Sequence, residues 1–132
     1  MSEPITDLAE QVRLLGLAKV RRHIFLCAEH AKPKCASAEV SSEAWRYLKR
    51  RLRELGLQEG DAVVYRSKVG CFRVCTQGPI CVVWPDGIFY RSATPPVLER
   101  ILIEHLIGGR PVEEFVIARA AGGDAARGDQ ST

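Results

Sequence analysis

At 132 residues the chain is long enough for one domain with its own hydrophobic core. With 46% hydrophobic and 27% charged residues it cannot be disordered as a whole. Its 19 basic residues are nearly balanced by 16 acidic ones, and a net charge of +3 makes no case for nucleic acid.

The opening MSEPITDLAEQ has acids where a secretory leader is basic. The longest apolar run, Ile80 to Trp84, falls far short of the roughly 20 residues that cross a bilayer. The expectation is a cytoplasmic protein without a membrane anchor. Within residues 1–21, Thr6 or Asp7 can cap a short helix carrying Leu8, Val12 and Leu15, an N-terminal extension lying on the outside of the domain.

His23-Ile24-Phe25-Leu26 is short and apolar enough for a buried strand, and it ends at Cys27. Ser41 or Ser42 then caps a helix in which Trp45, Leu48, Leu52 and Leu55 share one face, and Gly56 stops it. Ala62 to Tyr65 reads as a second strand, so strand, helix and strand make a crossover joining parallel strands. Ile80 to Trp84 and Ile88 to Tyr90 flank Pro85-Asp86-Gly87 as a hairpin. Thr94 and Pro95 open a helix placing Leu98, Ile101, Leu102 and Leu106 on one face and ending at Gly108-Gly109. Residues 118–132 are small and polar, as in a disordered tail. The pattern is an α/β fold, a mixed four-stranded sheet flanked by helices over residues 22–117.

Five cysteines in a reducing compartment point to metal or redox chemistry rather than to disulfides. Four fall in two pairs, Cys27 with Cys35 and Cys71 with Cys75, on connections at strand ends that the crossover makes neighbours. Four thiolates suit a [2Fe-2S] cluster, whose iron takes soft, electron-rich ligands. They also suit zinc, although structural zinc sites use shorter gaps than the seven residues between Cys27 and Cys35. A dithiol enzyme needs Cys-x-x-Cys, which is absent. Cys81, inside an apolar strand, reads as a small buried hydrophobe. His30 is the one histidine placed to ligate, and Gly108-Gly109-Arg110 lacks the strand and lysine of a phosphate loop.

The run Cys27, Cys35, Gly70-Cys71, Cys75, Gly78-Pro79, an apolar strand, Pro85-Asp86-Gly87, Phe89-Tyr90 and a helix ending near Gly109 resembles the thioredoxin-like [2Fe-2S] ferredoxins. It is also similar to the small cluster-carrying subunit of respiratory NADH dehydrogenases. The resemblance covers residues 22–117. It implies a thioredoxin-like fold and one [2Fe-2S] cluster held by Cys27, Cys35, Cys71 and Cys75. It also implies one-electron transfer without catalysis, and often a homodimer. Departures from the family pattern are the N-terminal extension, the compact first cysteine spacing and Cys81.

On this reading the chain exchanges electrons with a partner oxidoreductase. Lys32, Lys34, Arg66, Lys68, Arg73 and Arg91 flank the cysteine segments, whereas Glu99, Glu104, Glu113 and Glu114 are expected at the other end. That arrangement would steer an acidic redox partner. The competing readings are a zinc- or cluster-dependent interaction or redox-sensor module, and a cluster subunit of a larger oxidoreductase.

Overall fold

The computed structural model describes residues 4–28, 37–70, 72 and 76–121. The first helix, α1, spans Pro4–Leu15. It begins before the anticipated caps, and Leu8, Val12 and Leu15 remain exposed along it. Strand β1, Val20–Cys27, alternates as a strand with one covered face should. Ile24 and Leu26 are fully buried on that face, while His23 and Phe25 stack at 4.0 Å on the other, half-buried.

Helix α2 spans Ala38–Glu54 and is capped by Ser37, whose hydroxyl accepts the Val40 amide at 3.1 Å. The start is thus earlier than the Ser41 or Ser42 cap expected, and Ser41 is instead buried one turn inside the helix. Ala44, Leu48 and Leu52 are fully buried on one face. Each leucine contributes on the order of 1.5–3 kcal/mol by leaving water. The helix ends as expected at Gly56, which adopts φ 70°. There the Leu57 amide donates to Leu52 O at 3.0 Å and the Gly56 amide to Arg53 O at 3.1 Å, satisfying two terminal carbonyls.

Strand β2, Val63–Val69, runs parallel to β1, with Leu26 opposite Lys68 and Cys27 opposite Val69. Strands β3, Cys81–Trp84, and β4, Ile88–Tyr90, form the hairpin, and β3 pairs antiparallel with β1. Helix α3 covers Pro95–Arg100 and continues as a π-helix over Ile101–Ile107. In its last turn the Gly108 amide donates to Ile103 O at 3.0 Å, five residues back.

A fifth strand, β5, spans Val116–Arg119 and pairs antiparallel with β4. The sheet order is β2-β1-β3-β4-β5, so the expected four-stranded sheet is corrected to five. The reason for the miss is physical: β5 is an edge strand whose last three residues are exposed, so it leaves no alternating apolar pattern. The sheet begins at Val20 and ends at Arg119, two residues beyond the 22–117 span on either side. Residues 122–132, expected as a tail, lie outside the described residues.

Helices α2 and α3 enclose one core against Ile24, Leu26, Val64, Cys81, Val83, Ile88 and Tyr90. The other sheet face carries His23, Phe25, Tyr65, Trp84 and Phe89, all half-buried. Several of these rings pack edge to face, among them His23 on Tyr65 and Trp84 on Phe89. Among the described residues no helix is long and apolar enough to cross a membrane.

Candidate metal centre

The parallel pairing of β1 and β2 brings their C-terminal ends side by side, which places Cys27 beside the strand that leads into Cys71. The Ala28 amide donates to Val69 O at 3.0 Å, joining Cys27's neighbour to the incoming stem of that segment. On the other side the Cys27 amide donates to Ile80 O at 3.0 Å. The segment that contains Cys71 and Cys75 in the sequence therefore starts and finishes beside Cys27. Its returning stem is anchored further by Ser92, whose amide donates to Gln77 O at 2.7 Å, and by Ala93, whose amide donates to Pro79 O at 2.8 Å.

The sulfur of Cys27 is almost wholly withdrawn from water, at 1% exposure, and accepts a hydrogen bond from the Ile80 amide at 3.0 Å. A backbone N–H aimed at a cysteine sulfur stabilises negative charge there, as a thiolate ligand requires. Cys27 thus fits the ligand role. Cys35, Cys71 and Cys75, and with them His30, lie outside the described residues.

Cys81 takes the other role anticipated for it. It faces the core beside Ile24 and Leu26 and is fully buried. Burial, reinforced by the nearby Cys27, pushes its thiol far above the usual range. Paired with Leu26 across β1 and β3, Cys81 points into the core, on the sheet face opposite to Cys27.

Of the expected basic rim, Arg66 and Lys68 extend from β2 on the same face as Val64, toward α2. There three cations surround one indole. The Arg66 guanidinium is 5.7 Å, and the Lys49 and Lys68 ammoniums are each 5.8 Å, from the Trp45 ring centre. Each contact contributes roughly 0.5–1 kcal/mol at an exposed site. Two like charges about 10 Å apart in water repel by roughly 0.4 kcal/mol, so three mutual repulsions offset much of that gain. Helical spacing alone puts Trp45 on the buried face, and its spacing of four from Lys49 is the sequence signal for the cation contact.

Arg91 stands over Phe115 at 4.9 Å and donates to Glu114 O at 3.2 Å. Lys32, Lys34 and Arg73 lie outside the described residues. The acids expected at the far end are each paired with an arginine: Glu99 with Arg51 at 2.9 Å, Glu104 and Glu114 with Arg100 at 2.9 and 2.7 Å, and Glu113 with Arg119. Three arginines thus offset most of the charge of these four acids, Arg100 being shared by two of them. Arg51 and the Tyr47 hydroxyl hold the Glu99 carboxyl below the ordinary range.

A cysteine held between both stems of a second cysteine-bearing segment, on a five-stranded mixed sheet backed by helices, defines a small scaffold for a thiolate-ligated centre. No family model matches the chain. A 2Fe-2S ferredoxin of Aquifex aeolicus (strain VF5) is 30% identical over 107 residues, spanning 74% of this chain and 90% of the relative. One from Clostridium pasteurianum is 30% identical over 98 residues, spanning 74% and 96%. The solved thioredoxin-like [2Fe-2S] ferredoxin from Aquifex aeolicus superposes with a TM-score of 0.59 at 28% identity, covering 75% of this chain and 92% of that one. The chain belongs to the thioredoxin-like [2Fe-2S] ferredoxin family, whose members are electron-transfer proteins rather than enzymes.

Proposed function

We propose that the chain carries one [2Fe-2S] cluster on Cys27, Cys35, Cys71 and Cys75 and passes single electrons to or from a partner oxidoreductase. The observation that carries this reading is the setting of Cys27: a buried sulfur taking an amide hydrogen bond from Ile80, between both stems of the Cys71 and Cys75 segment. When bound, the cluster supplies the one-electron couple. The chain's own residues supply the thiolates, the Ile80 amide directed at one of them, and the apolar surround that limits water.

The partner exchanges electrons in the cytoplasm and presents acidic groups to the basic side chains near Cys27. The chain pairs with a second copy of itself, as the frequent homodimers of the family suggest. Light scattering on the purified protein tests this: a monomer at micromolar concentration would exclude it.

The decisive experiment is anaerobic purification with a visible absorption spectrum and assays of iron and acid-labile sulfide. Two irons and two sulfides per chain are expected, bleaching with one electron. Serine replacements at Cys27, Cys35, Cys71 and Cys75, one at a time, should each reduce cluster content or alter its spectrum. A colourless protein containing zinc would overturn the reading.

A further inference from the structure

We infer that Trp45 and the three cations around it, Lys49, Arg66 and Lys68, form the surface on which an acidic redox partner docks. This deepens the electron-carrier reading and rests on it.

The first ground is position. Lys68 lies opposite Leu26 in the β1–β2 register, one step before the pairing of Cys27 with Val69, and three residues before Cys71 in the sequence. Helix α2, which carries Trp45 and Lys49, begins just after Ser37, two residues beyond Cys35. The patch thus stands at the end of β1 and β2 where the ligand-bearing connections start. Lys68 shares the sheet face of Leu26, whereas Cys27, the next residue of β1, points to the opposite face, so a partner seated there reaches the centre around the end of the strands.

The second ground is charge. Among the described residues none of Lys49, Arg66 and Lys68 makes an ion pair. By contrast Arg22, Arg51 and Arg100 each hold a carboxylate. Three like charges gathered on one ring repel one another, and an acidic surface would relieve that repulsion.

The third ground is chemistry. Tryptophan and arginine are enriched at the energetic centres of interfaces, where a flat ring gives contact area with little loss of side-chain freedom, and the two lysines supply the charged rim.

The test uses the cluster-loaded full chain, reduced by one electron and mixed in a stopped-flow instrument with an oxidised flavodoxin, an acidic one-electron carrier. The electron lost by the chain appears as flavodoxin semiquinone, which takes up a proton from solvent. The pair Lys49→Glu with Lys68→Glu should slow this transfer about tenfold or more at low ionic strength, and the difference should vanish in high salt. The control pair Arg21→Glu with Arg110→Glu changes net charge equally; Arg21 lies six residues before Cys27 on β1, about 20 Å away. It should leave the rate within about twofold. Equal slowing by both pairs, or by neither, or no salt dependence in the native protein, would overturn the docking surface while a normal cluster spectrum leaves the carrier reading standing. Absence of the cluster spectrum would instead remove the carrier reading itself. Binding of a single-stranded oligonucleotide by the native chain but not by the Lys49/Lys68 variant would also overturn it, reassigning the patch to nucleic acid.

Discussion

The Tyr90 hydroxyl donates its hydrogen bond to Nδ1 of His105, at 2.8 Å, and the direction follows from its other partner. The same hydroxyl oxygen accepts the Val112 amide at 2.9 Å, so its one proton is left for the ring. His105 therefore carries its proton on Nε2 and donates it to Asp86 Oδ2 at 2.7 Å, while Arg22 holds the same carboxylate at 3.3 Å. A neutral, fully buried imidazole satisfies every member of this chain of bonds. It closes the β3–β4 turn onto the π-helical end of α3, at the pole of the sheet away from Cys27.

That arrangement sets the dependence of stability on pH. Burial lowers the pKa of His105 below 6.5, more than the Asp86 hydrogen bond and charge raise it. The folded chain thus binds a proton here less readily than the unfolded one. The contribution is complete above about pH 6.5 and is lost as pH falls from there through the folded value. His23, lowered by burial, acts in the same direction. Asp86 is raised by burial, but the His105 hydrogen bond and the Arg22 charge outweigh this, so its pKa ends below 3.8. Its share is lost only as pH falls through that lower range. The melting temperature should decline between pH 7 and 5, and His105→Gln should shallow that decline while costing about 1–3 kcal/mol at pH 7. A melting temperature flat over that interval would contradict the account.

Cys81 separates packing from ligation. Because it is fully buried among apolar side chains and points into the core, Cys81→Ala should leave iron and sulfide content unchanged and lower stability by about 1 kcal/mol. Cys81→Ser puts an unpartnered hydroxyl in the core and should cost about 1–3 kcal/mol. Metal analysis and thermal melts on the two variants check this, and loss of iron from the alanine variant would make Cys81 a ligand.

How much of this was legible in the chain depends on the range of the interaction. Leu48 and Leu52 announce α2 because helical spacing is local, and Gly56 announces its end because only a left-handed residue fits there. The α2 start was misplaced because Ser37 and Ser41 are chemically alike, and which one caps depends on how the helix meets the sheet. The Asp86–His105–Tyr90 chain joins residues of a turn, a π-helix and a strand, and no periodicity marks it. The cysteines stand out as residue types. The Ile80 group that touches Cys27 is a backbone amide, common to nearly every residue and so invisible in composition.

Gly56 offers a clean measure of backbone strain. Its φ is 70°, and a Cβ built there meets no heavy atom within 4 Å. Gly56→Ala should therefore destabilise by the left-handed penalty alone, about 1–2 kcal/mol. Gly56→Asn, whose side chain tolerates that conformation, should cost less. Chemical denaturation of both variants decides the matter, and an alanine variant as stable as the native chain would rule out the strain.

The Ile80 amide gives a prediction on the candidate centre itself. An N–H directed at a ligand sulfur favours the state with more negative charge, which is the reduced one, so removing it should make the reduction potential more negative. Ile80→Pro deletes the N–H to Cys27 Sγ. Because Ile80 is also fully buried, the substitution loses packing as well, and Ile80→Val isolates that part, with a cost of about 0.5–1.5 kcal/mol and the amide retained. Voltammetry should show a lower potential for the proline variant than for the valine variant, both compared at equal cluster content. Identical potentials would mean that the amide holds the fold of the stem without acting on the charge at Cys27.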